Sequence, residues 1–427
     1  MKLLIFAHTP PPHHGQSYMV QLMLEGLGGD RCRRAPSAPP QPGDVHGIEC
    51  YHVNTRLSKR LEDIGEFHGA KLLRLLIYCG EAIWCRFRYG VTSFYYIPAP
   101  GKTSALYRDW LVLLLCRPFF KHIILHWHAA GLAKWLETSV QMRARALTYR
   151  CARQADLSIV LSRYNMADAE KLLPQRIRVV SNGIPDPCPE FRQTVLPRRR
   201  ARFVARDLLF AGRALTAEDY HETGGDPQVI KVLFLAHCME EKGLFDAMRA
   251  VVLANRTLAE QLAPVRMKLL AAGTFVTAGE RAKFDHLMTD PEFDRAVDYL
   301  GFVSGDGKQR ALKECDLFCF PTYYLGENQP VNLIEAMAFG LPVVTTRWRS
   351  LSEMLPANYA GLVPIRAPEK VAAAMLNLMT EETGERFRQM FLARFTLEAH
   401  LAKLAEALVT IERPDTPAAT VPAPARR

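Results

Sequence analysis

The sequence predicts an α/β protein made of two doubly wound domains. Short apolar runs that suit buried parallel strands alternate with longer segments in which apolar residues recur at helical spacing. The alternation is interrupted by residues 186–228, where Pro, Gly and Arg are frequent. Strand and helix alternation on both sides of such a break indicates two parallel sheets, each covered by helices.

The first domain is predicted at residues 1–185, and an Asn182-Gly183 turn closes it. Residues 28–47 are rich in Pro, Gly and Arg and are predicted to form a loop. The predicted strands are 2–8, 48–54, 93–98, 121–128, 156–161 and 176–181, and the predicted helices are 18–27, 68–89, 107–115 and 143–153.

The second domain is predicted at residues 229–389. Residues 186–228 are expected to be a linker or insertion, part of it flexible, because the segment is longer than a typical connection. The tail 413–427 is rich in Pro and Ala and is predicted to be disordered. The predicted strands are 229–236, 265–273, 297–304, 316–321 and 341–345, and the predicted helices begin at 244, 331, 368 and 381.

Composition argues against several classes of protein. The ten cysteines include no C-x-x-C pair and several lie in apolar runs, which predicts a reducing, cytoplasmic setting and no zinc site. The apolar run at the start of the chain is too short for a signal peptide. No stretch approaches the roughly 20 apolar residues of a membrane-spanning helix.

The net charge of +10 is unevenly distributed. Residues 1–190 contain 24 Lys and Arg against 15 Asp and Glu, whereas the remainder contains 30 against 29. A basic half attracts anionic lipid surfaces, nucleic acid or anionic acceptors, and a solvated basic surface is the alternative. Because no nucleic-acid-binding motif is present, we expect an anionic membrane surface or a lipid-linked acceptor and no nucleic acid. The basic, aromatic segment 68–89 could rest on a membrane, but burial in the core is the favoured interpretation.

Residues 326–346 carry the clearest site pattern. Glu327 and Glu335 stand eight positions apart, on either side of Pro330, which suits the first turn of a helix. Gly340 fits the left-handed position that ends this helix. Free N–H groups at a helix start suit a phosphate, and carboxylates accept hydrogen bonds from sugar hydroxyls. An anion-binding helix end between two carboxylates is the chemistry that a nucleotide-sugar needs.

Two further predicted strands lead into candidate phosphate contacts. Gly15 and Gln16 open the first helix, with Ser17 as its predicted N-cap, so this loop offers a second approach for a phosphate. Lys242 follows the strand 229–236 and would place a fixed cation beside a helix start, where it can neutralise a leaving group. Taken alone, the loop at Gly15 and Gln16 could be an ordinary first βα turn, and an exposed lysine would be the favoured interpretation of Lys242.

His128 ends the strand 121–128, at the edge of the sheet where ligands of open α/β sheets bind. A histidine there can bond a substrate or share a proton. His126 is predicted on the same face, two positions earlier. A metal-binding H-x-H fragment and a purely structural histidine are the alternatives.

The spacing E-x7-E followed by EAMAFGLPVVTT, together with E-K-G at residues 241–243, resembles the retaining GT-B glycosyltransferases of family four. The resemblance implies two Rossmann-like domains facing a cleft, with a C-terminal helix at about 390–412 that packs back on the first domain. It implies that Glu327 contacts the donor sugar, Glu335 the ribose and Lys242 the pyrophosphate. It also places His128 near the donor sugar.

The implied donor site comprises Gly15, Gln16, Lys242, Glu327, Asn328, Gln329, Pro330, Val331 and Glu335, with His128, Lys242 and Glu327 as the catalytic residues. Two departures from the family pattern are visible. Ala236-His237 stands where the family usually has Gly-Arg, and a histidine is only partly charged near neutral pH. The glycines that usually precede a glutamate are missing before Glu353.

We therefore predict a glycosyltransferase that moves a sugar from a nucleotide-sugar to a hydroxyl of a glycan or lipid-linked acceptor, in bacterial-type polysaccharide or glycolipid assembly. It is expected to need no metal, since no D-x-D motif is convincingly placed and a lysine with a helix end can neutralise the leaving group. We expect a cytoplasmic protein at the inner face of a membrane. The alternatives are a nucleotide-sugar epimerase or phosphorylase, and a non-catalytic sugar-nucleotide-binding module.

Overall fold

The structure is a computed structural model that describes residues 1–11, 15–33, 47–57, 69–98, 101–379 and 384–411. The predicted tail 413–427 lies outside the described residues, as does most of the predicted loop 28–47. Two parallel sheets with helices between their strands confirm the predicted α/β class. No helix in the described ranges is long and apolar enough to cross a bilayer.

The first sheet contains six parallel strands within the described part of the chain. They are β1 (Lys2–Ala7), β2 (Glu49–Asn54), β3 (Ser93–Tyr96), β4 (His122–Trp127), β5 (Leu157–Val160) and β6 (Ile177–Val179). Their order is β2-β1-β3-β4-β5-β6. The accompanying helices are α1 (Gly15–Gly26), α2 (Gly69–Tyr89), α3 (Thr103–Cys116), α4 (Leu132–Ser139), α5 (Met142–Ala152) and α6 (Met166–Glu170).

Residues 186–228, which were expected to be a linker or insertion, contain helices. A π-helical turn (Phe191–Val195) leads into α7 (Leu196–Phe210), and α8 (Ala217–Thr223) follows. Thr216 and Asp219 form a capping box at the start of α8. Two arginines of α7, Arg202 and Arg206, are buried against the second domain.

Two arginines of α7 bind one buried carboxylate. Arg202 Nε donates to Asp316 Oδ1 at 2.7 Å, and Arg206 Nη2 donates to Asp316 Oδ2 at 2.8 Å. The three side chains are at most 9% exposed. Burial alone would raise the pKa of Asp316, but the charges of Arg206 and Arg202 outweigh it and hold that pKa well below its usual range.

The second sheet also contains six parallel strands in the ranges described. They are β7 (Val229–Leu235), β8 (Arg266–Ala272), β9 (Val297–Gly301), β10 (Leu317–Phe320), β11 (Val343–Thr346) and the unpredicted two-residue β12 (Leu362–Val363). Their order is β12-β11-β10-β7-β8-β9. The accompanying helices are α9 (Leu244–Glu260), α10 (Ala278–Leu287), α11 (Pro291–Ala296), α12 (Gly305–Glu314), α13 (Val331–Ala338), α14 (Leu351–Met354) and α15 (Pro368–Leu378).

The strand order reverses once in each sheet, between β1 and β3 in the first and between β7 and β10 in the second. Ligands of open α/β sheets bind beyond the carboxyl ends of the strands at such a reversal. Lys242 lies in the loop after β7, and Glu327 lies in the loop after β10. The sheet topology therefore brings these two predicted site residues to one place.

The last two helices, α16 (Gly384–Arg394) and α17 (Leu397–Val409), return the chain to the first domain. Leu404 and Leu408 of α17 join the buried cluster that contains Leu3 and Ile5 of β1. The backbone N–H of Leu397 donates to the carbonyl of Ile184 at 2.8 Å. The C-terminal helix thus covers one face of the first sheet.

The basic helix α2 has two apolar faces. The inner face is buried against the first sheet through Leu75, Cys79, Ala82 and Cys85. The opposite face, which we name the outer α2 face, carries Leu73, Ile77, Trp84 and Phe87, each more than half exposed. The interpretation of this segment as core therefore holds for one face only.

We expect Asp316→Asn to lower the free energy of unfolding by about 3–5 kcal/mol, because two buried guanidinium groups would lose their counter-charge. The pKa of Asp316 is lower in the folded chain than its unfolded value of 3.8. This contribution is therefore fully present above that value and is lost as the pH falls through the folded pKa. Urea denaturation followed by circular dichroism measures the loss.

The control is Glu314→Gln, which removes the more exposed Lys231–Glu314 ion pair next to the same strand. Its cost should stay below about 1 kcal/mol. An equal loss of stability in the two variants would contradict the assigned role of the Asp316 contact.

Candidate active site

The loops after β7 and β10 meet in an ion pair. Lys242 Nζ donates to Glu327 Oε2 at 2.7 Å, although the residues are 85 positions apart. The Thr322 hydroxyl lies 3.1 Å from the same carboxylate oxygen. The side chains of Lys242 and Glu327 are only 16% and 8% exposed. Two predicted donor-site residues are therefore in direct contact, and each balances the other's charge.

Aromatic rings flank the Lys242 ammonium group. Its Nζ lies 4.4 Å from the centroid of the Tyr324 ring and 5.6 Å from that of Phe320. Burial raises the pKa of Tyr324, and the Glu327 carboxylate raises it further. In such partly desolvated surroundings, the charge of Lys242 acts on a neighbouring anion more strongly than it would in water.

His237 lies beside this cation, where the resembled family has an arginine. Burial lowers the pKa of His237, and the charge of Lys242 lowers it further. Since the ordinary pKa of histidine is already below 7, the ring is neutral near pH 7. His237 therefore adds no fixed positive charge to that of Lys242.

The helix α13 begins at Val331, with Pro330 as its N-cap rather than in its first turn. The proline makes no side-chain cap. The N–H of Leu333 donates to Asn332 Oδ1 at 2.8 Å, which leaves the N–H groups of Val331 and Asn332 for an anion. Gly340 has a φ of +62° directly after the helix, the left-handed conformation that the sequence predicts. The start of α13 thus has the form expected of a phosphate site.

The start of α1 faces the start of α13. A Cβ placed on Gly15 would lie 3.7 Å from Val331 Cγ2. Gln16 is partly buried in the first turn of α1. Ser17 is buried inside this turn rather than capping it, because the helix already begins at Gly15. The positive ends of two helices therefore converge in the cleft between the domains.

Glu335 is paired with a lysine in the same way as Glu327. Lys308 Nζ, at the start of α12, donates to Glu335 Oε1 at 2.6 Å. Burial raises the pKa of Tyr18 on α1, and the Glu335 carboxylate raises it further. Glu335 therefore faces the first domain across the cleft, one helical turn beyond the start of α13.

His126 and His128 lie on one face at the end of β4, as predicted, with their ring centroids 4.3 Å apart. His126 is buried, and its Nδ1 is hydrogen-bonded to the Tyr95 hydroxyl. Burial lowers the pKa of His126 well below its usual value, with smaller effects from His128 and His400. His126 is therefore an uncharged side chain against which the His128 ring packs. In the described residues, no group of three or more His, Cys, Asp or Glu could hold a metal ion.

Asn328 and Gln329 join the donor loop to the first domain. Gln329 Nε2 donates to the carbonyl of Leu161 at 2.6 Å, and its Oε1 accepts the N–H of Asn182 at 2.9 Å. Asn328 Oδ1 accepts a bond from the Ser162 hydroxyl at 3.3 Å. Asn328 Nδ2 is buried and has no hydrogen-bond partner in the described part of the chain. Their predicted donor contacts stay predictions, and the structure adds a role in positioning the loop.

The loop after β11 and the helix α14 make domain contacts that the sequence analysis did not assign. The Glu353 carboxylate accepts the N–H groups of Arg163 and Tyr164, at 2.9 and 2.7 Å, from the first domain. The guanidinium group of Arg349 lies against Gly131 of the first domain. The signal available in the sequence was the loss of the glycines expected before Glu353.

Comparisons with known proteins find a family model and several relatives that resemble this chain. Residues 229–381 match the family model described as Glycosyl transferases group 1. AmsK of Erwinia amylovora, an amylovoran biosynthesis glycosyltransferase, is 29% identical over 160 residues, which are 36% of this chain and 37% of AmsK. WcaL of Escherichia coli, a putative colanic acid biosynthesis glycosyltransferase, is 30% identical over 161 residues, again 36% of this chain and 37% of the relative.

The chain thus spans little more than a third of the length of these relatives. The structural match is wider. The crystal structure of Anabaena Alr3699/HepE in complex with UDP superimposes with a TM-score of 0.59 at 14% identity, over 96% of this chain and all of that one. Residues 229–381 therefore resemble a group 1 glycosyltransferase domain, in a chain that has the two-domain GT-B fold.

Proposed function

We propose that the protein transfers a sugar from a nucleotide-sugar to an acceptor hydroxyl, in bacterial-type polysaccharide or glycolipid assembly. The observation that carries the proposal is the Lys242–Glu327 contact beside the uncapped start of α13. A cation, an anion-binding helix end and a carboxylate within one cleft match a diphosphate joined to a sugar. The names of AmsK and WcaL support the polysaccharide class, and the UDP complex of HepE supports a nucleotide-sugar donor.

In the proposed reaction, the bond between the anomeric carbon of the sugar and the diphosphate oxygen breaks. The oxygen of the acceptor hydroxyl forms the new bond to the anomeric carbon. The hydroxyl proton ends on the released nucleoside diphosphate or in water. Negative charge therefore builds on the diphosphate, and groups that stabilise it there accelerate the reaction.

Lys242 and the start of α13 are the groups that we assign to the diphosphate. In the structure Lys242 is neutralised by Glu327, so binding of the donor would exchange one anionic partner of the lysine for another. The exchange leaves the buried charge of Lys242 paired throughout, which avoids the desolvation cost of an isolated ion. A cation and a helix dipole suffice in principle to offset the leaving-group charge, and we propose that the reaction needs no metal.

The carboxylates and His128 are assigned to the sugar and the ribose. Glu327, once released from Lys242, can accept hydrogen bonds from hydroxyls of the donor sugar. Glu335, now held by Lys308, is assigned to the ribose hydroxyls. His128, supported from below by His126, is assigned to the sugar on the first-domain side.

Retention of the anomeric configuration, and assignment to family four, are proposed from the E-x7-E motif and its resemblance alone. No described side chain in the cleft is an evident nucleophile. Proton NMR of the glycoside, which separates α and β anomers, tests retention once a donor and an acceptor are known.

We also propose that the protein works at the inner, cytoplasmic face of a membrane, on a glycan or lipid-linked acceptor. The outer α2 face supports this proposal, because Leu73, Ile77, Trp84 and Phe87 project from a helix that also carries basic residues. Exposed aromatic and aliphatic side chains with flanking cations are typical of helices that lie in the interface of an anionic bilayer.

We expect slow hydrolysis of one donor in a panel of UDP-, GDP- and ADP-sugars, and loss of most of this activity in Glu327→Ala. Removal of the carboxylate would leave the sugar hydroxyls without an acceptor and Lys242 without its partner. Release of nucleoside diphosphate is the readout, and a chelator added to the wild type should not change the rate.

The matched control is Glu240→Gln, which removes an exposed carboxylate from the same loop as Lys242 and should keep the wild-type rate. Donor binding by calorimetry without any turnover would favour the non-catalytic binding module. Turnover of the donor to an epimer, or phosphate-dependent cleavage without an acceptor, would favour an epimerase or a phosphorylase.

We expect His237→Arg to bind nucleoside diphosphate about tenfold more tightly, because it would add a fixed cation beside Lys242. His237→Gln should bind within about twofold of the wild type at pH 7.5, since the native ring is already neutral. Calorimetry measures both affinities. A large loss in His237→Gln would show that the native histidine carries charge or contacts the ligand itself.

We expect Trp84→Glu/Phe87→Glu to bind vesicles containing phosphatidylglycerol about tenfold more weakly than the wild type, because two apolar side chains become anionic. Tyr220→Glu, which changes an exposed aromatic residue on α8, should bind like the wild type. Co-sedimentation measures the bound fraction. Wild-type binding that is equal for neutral and anionic vesicles, or absent for both, would contradict the electrostatic part of the proposal.

A further inference from the structure

The loop between β11 and α14 places an arginine where the resembled family has a glycine-rich turn. Arg349 has a φ of +50°, an uncommon conformation for a residue with a side chain. The preceding Trp348 anchors the loop by donating from its indole Nε1 to the carbonyl of Tyr324 at 2.9 Å. The centre of the Arg349 guanidinium group lies 5.4 Å from the Trp348 ring. The loop is thus fixed next to the residue whose ring covers Lys242.

The Arg349 side chain reaches across to the first domain. A Cβ on Gly131 would lie only 2.8 Å from Arg349 Cζ, so the guanidinium group occupies the space that any other residue at 131 would fill. Gly131, with a φ of +91°, is the N-cap of α4 and follows His128 by three positions. The Arg349 guanidinium group therefore lies next to the loop that follows β4 and contains His128.

Two of the three guanidinium nitrogens lack an acceptor. Arg349 Nε and Nη1 are enclosed and have no hydrogen-bond partner among the described residues. A buried, charged donor without an acceptor is costly, and most such groups in proteins are satisfied. An arginine in this state beside a cleft can donate hydrogen bonds to an anionic oxygen of a ligand.

Nearby carboxylates are already occupied by other donors. Asp168 accepts the N–H groups of Gly131 and Ala133, both at 2.7 Å. Glu353 accepts the N–H groups of the turn that begins at Arg163. Neither carboxylate forms an ion pair with Arg349 in the described part of the structure, so the charge of Arg349 has no carboxylate partner there.

We propose that Arg349 forms a subsite for an anionic group of the acceptor, either the carboxylate of an acidic sugar or a phosphate. This inference rests on the proposed glycosyl transfer and specifies the acceptor. A guanidinium group matches both anions, because its N–H groups can bond two oxygens side by side. The first domain as a whole carries more positive than negative side chains, 24 Lys and Arg against 15 Asp and Glu in residues 1–190, which favours an anionic acceptor.

The position of Arg349 favours the acceptor over the donor diphosphate. Lys242 and the start of α13 already serve the diphosphate within the second domain. Arg349 instead contacts the first domain, at the start of α4 and beyond His128. Because the unpaired Nη1 lies against Gly131 of the first domain, the anion would enter only when the domains separate enough to admit it.

Calorimetry with three small probes tests the subsite: methyl glucuronide, inorganic phosphate and the neutral methyl glucoside. The donor site is first saturated with the nucleoside diphosphate found in the donor panel, or left empty if no donor binds. We expect at least one anionic probe to bind the wild type about tenfold or more tightly than methyl glucoside. A preference for glucuronide indicates a carboxylated sugar, and a preference for phosphate indicates a phosphorylated acceptor.

Arg349→Gln should abolish this preference, and Arg349→Lys should retain part of it, since the charge remains but the paired donors do not. Arg347→Gln is the matched control, because Arg347 is an exposed arginine of the same loop. It should bind the anionic probe within about twofold of the wild type. Thermal unfolding confirms that each variant is folded, and Arg349→Lys carries the test if Arg349→Gln does not fold.

The subsite would be refuted if no anionic probe bound the wild type better than methyl glucoside. It would also be refuted if Arg349→Gln bound like the wild type, or if Arg347→Gln lost the preference instead. Donor hydrolysis separates this failure from failure of the proposed function, because it depends on Glu327 and not on Arg349.

Discussion

The site depends on the placement of α13. Side chains from outside residues 229–381 hold the C-terminal end of this helix. Arg199 of α7 donates to the carbonyls of Phe339 and Gly340 at 2.8 and 2.7 Å, and Arg388 of α16 donates to that of Ala338 at 2.9 Å. Burial lowers the pKa of Arg199 to about 10, which leaves it charged at neutral pH. Two cations therefore satisfy the negative end of the helix whose positive end faces the cleft. The loop before α13 is bound to the first domain, so both ends are fixed by separate parts of the chain.

This arrangement explains why the charges of the cleft occur in pairs. Lys242 with Glu327 and Lys308 with Glu335 are each within hydrogen-bonding distance and partly or mostly buried. Within each pair the two charges balance, and each pair offers a cation and a carboxylate that a ligand with phosphates and hydroxyls can separate. Arg349 is the exception, since its charge faces the domain seam without a counter-ion in the described residues. Donor binding would thus separate ion pairs that already exist, whereas acceptor binding would give Arg349 a counter-ion that it lacks.

The sequence was sufficient for the strands other than β12 and for α13, because apolar runs, a proline start and a left-handed Gly340 are local signals. It also brought Lys242 and Glu327 into one predicted site, through motif resemblance. It could not show that these side chains bond to each other, nor that Arg206 reaches Asp316 over 110 positions, since both contacts arise only from tertiary packing. For α2, periodicity predicted an apolar face but could not distinguish buried Leu75 from exposed Phe87. The role of Gln329 at the domain contact had no local signal, and for Glu353 the signal was the loss of the glycines expected before it.

The most direct test of this account is a crystal structure of the protein with the nucleoside diphosphate that it binds. We predict that the diphosphate lies at the N–H groups that open α13, that Lys242 Nζ has moved from Glu327 to a phosphate oxygen, and that the Glu327 carboxylate faces the space for the sugar. A nucleotide bound elsewhere, or an intact Lys242–Glu327 pair with the nucleotide in place, would contradict the proposed exchange.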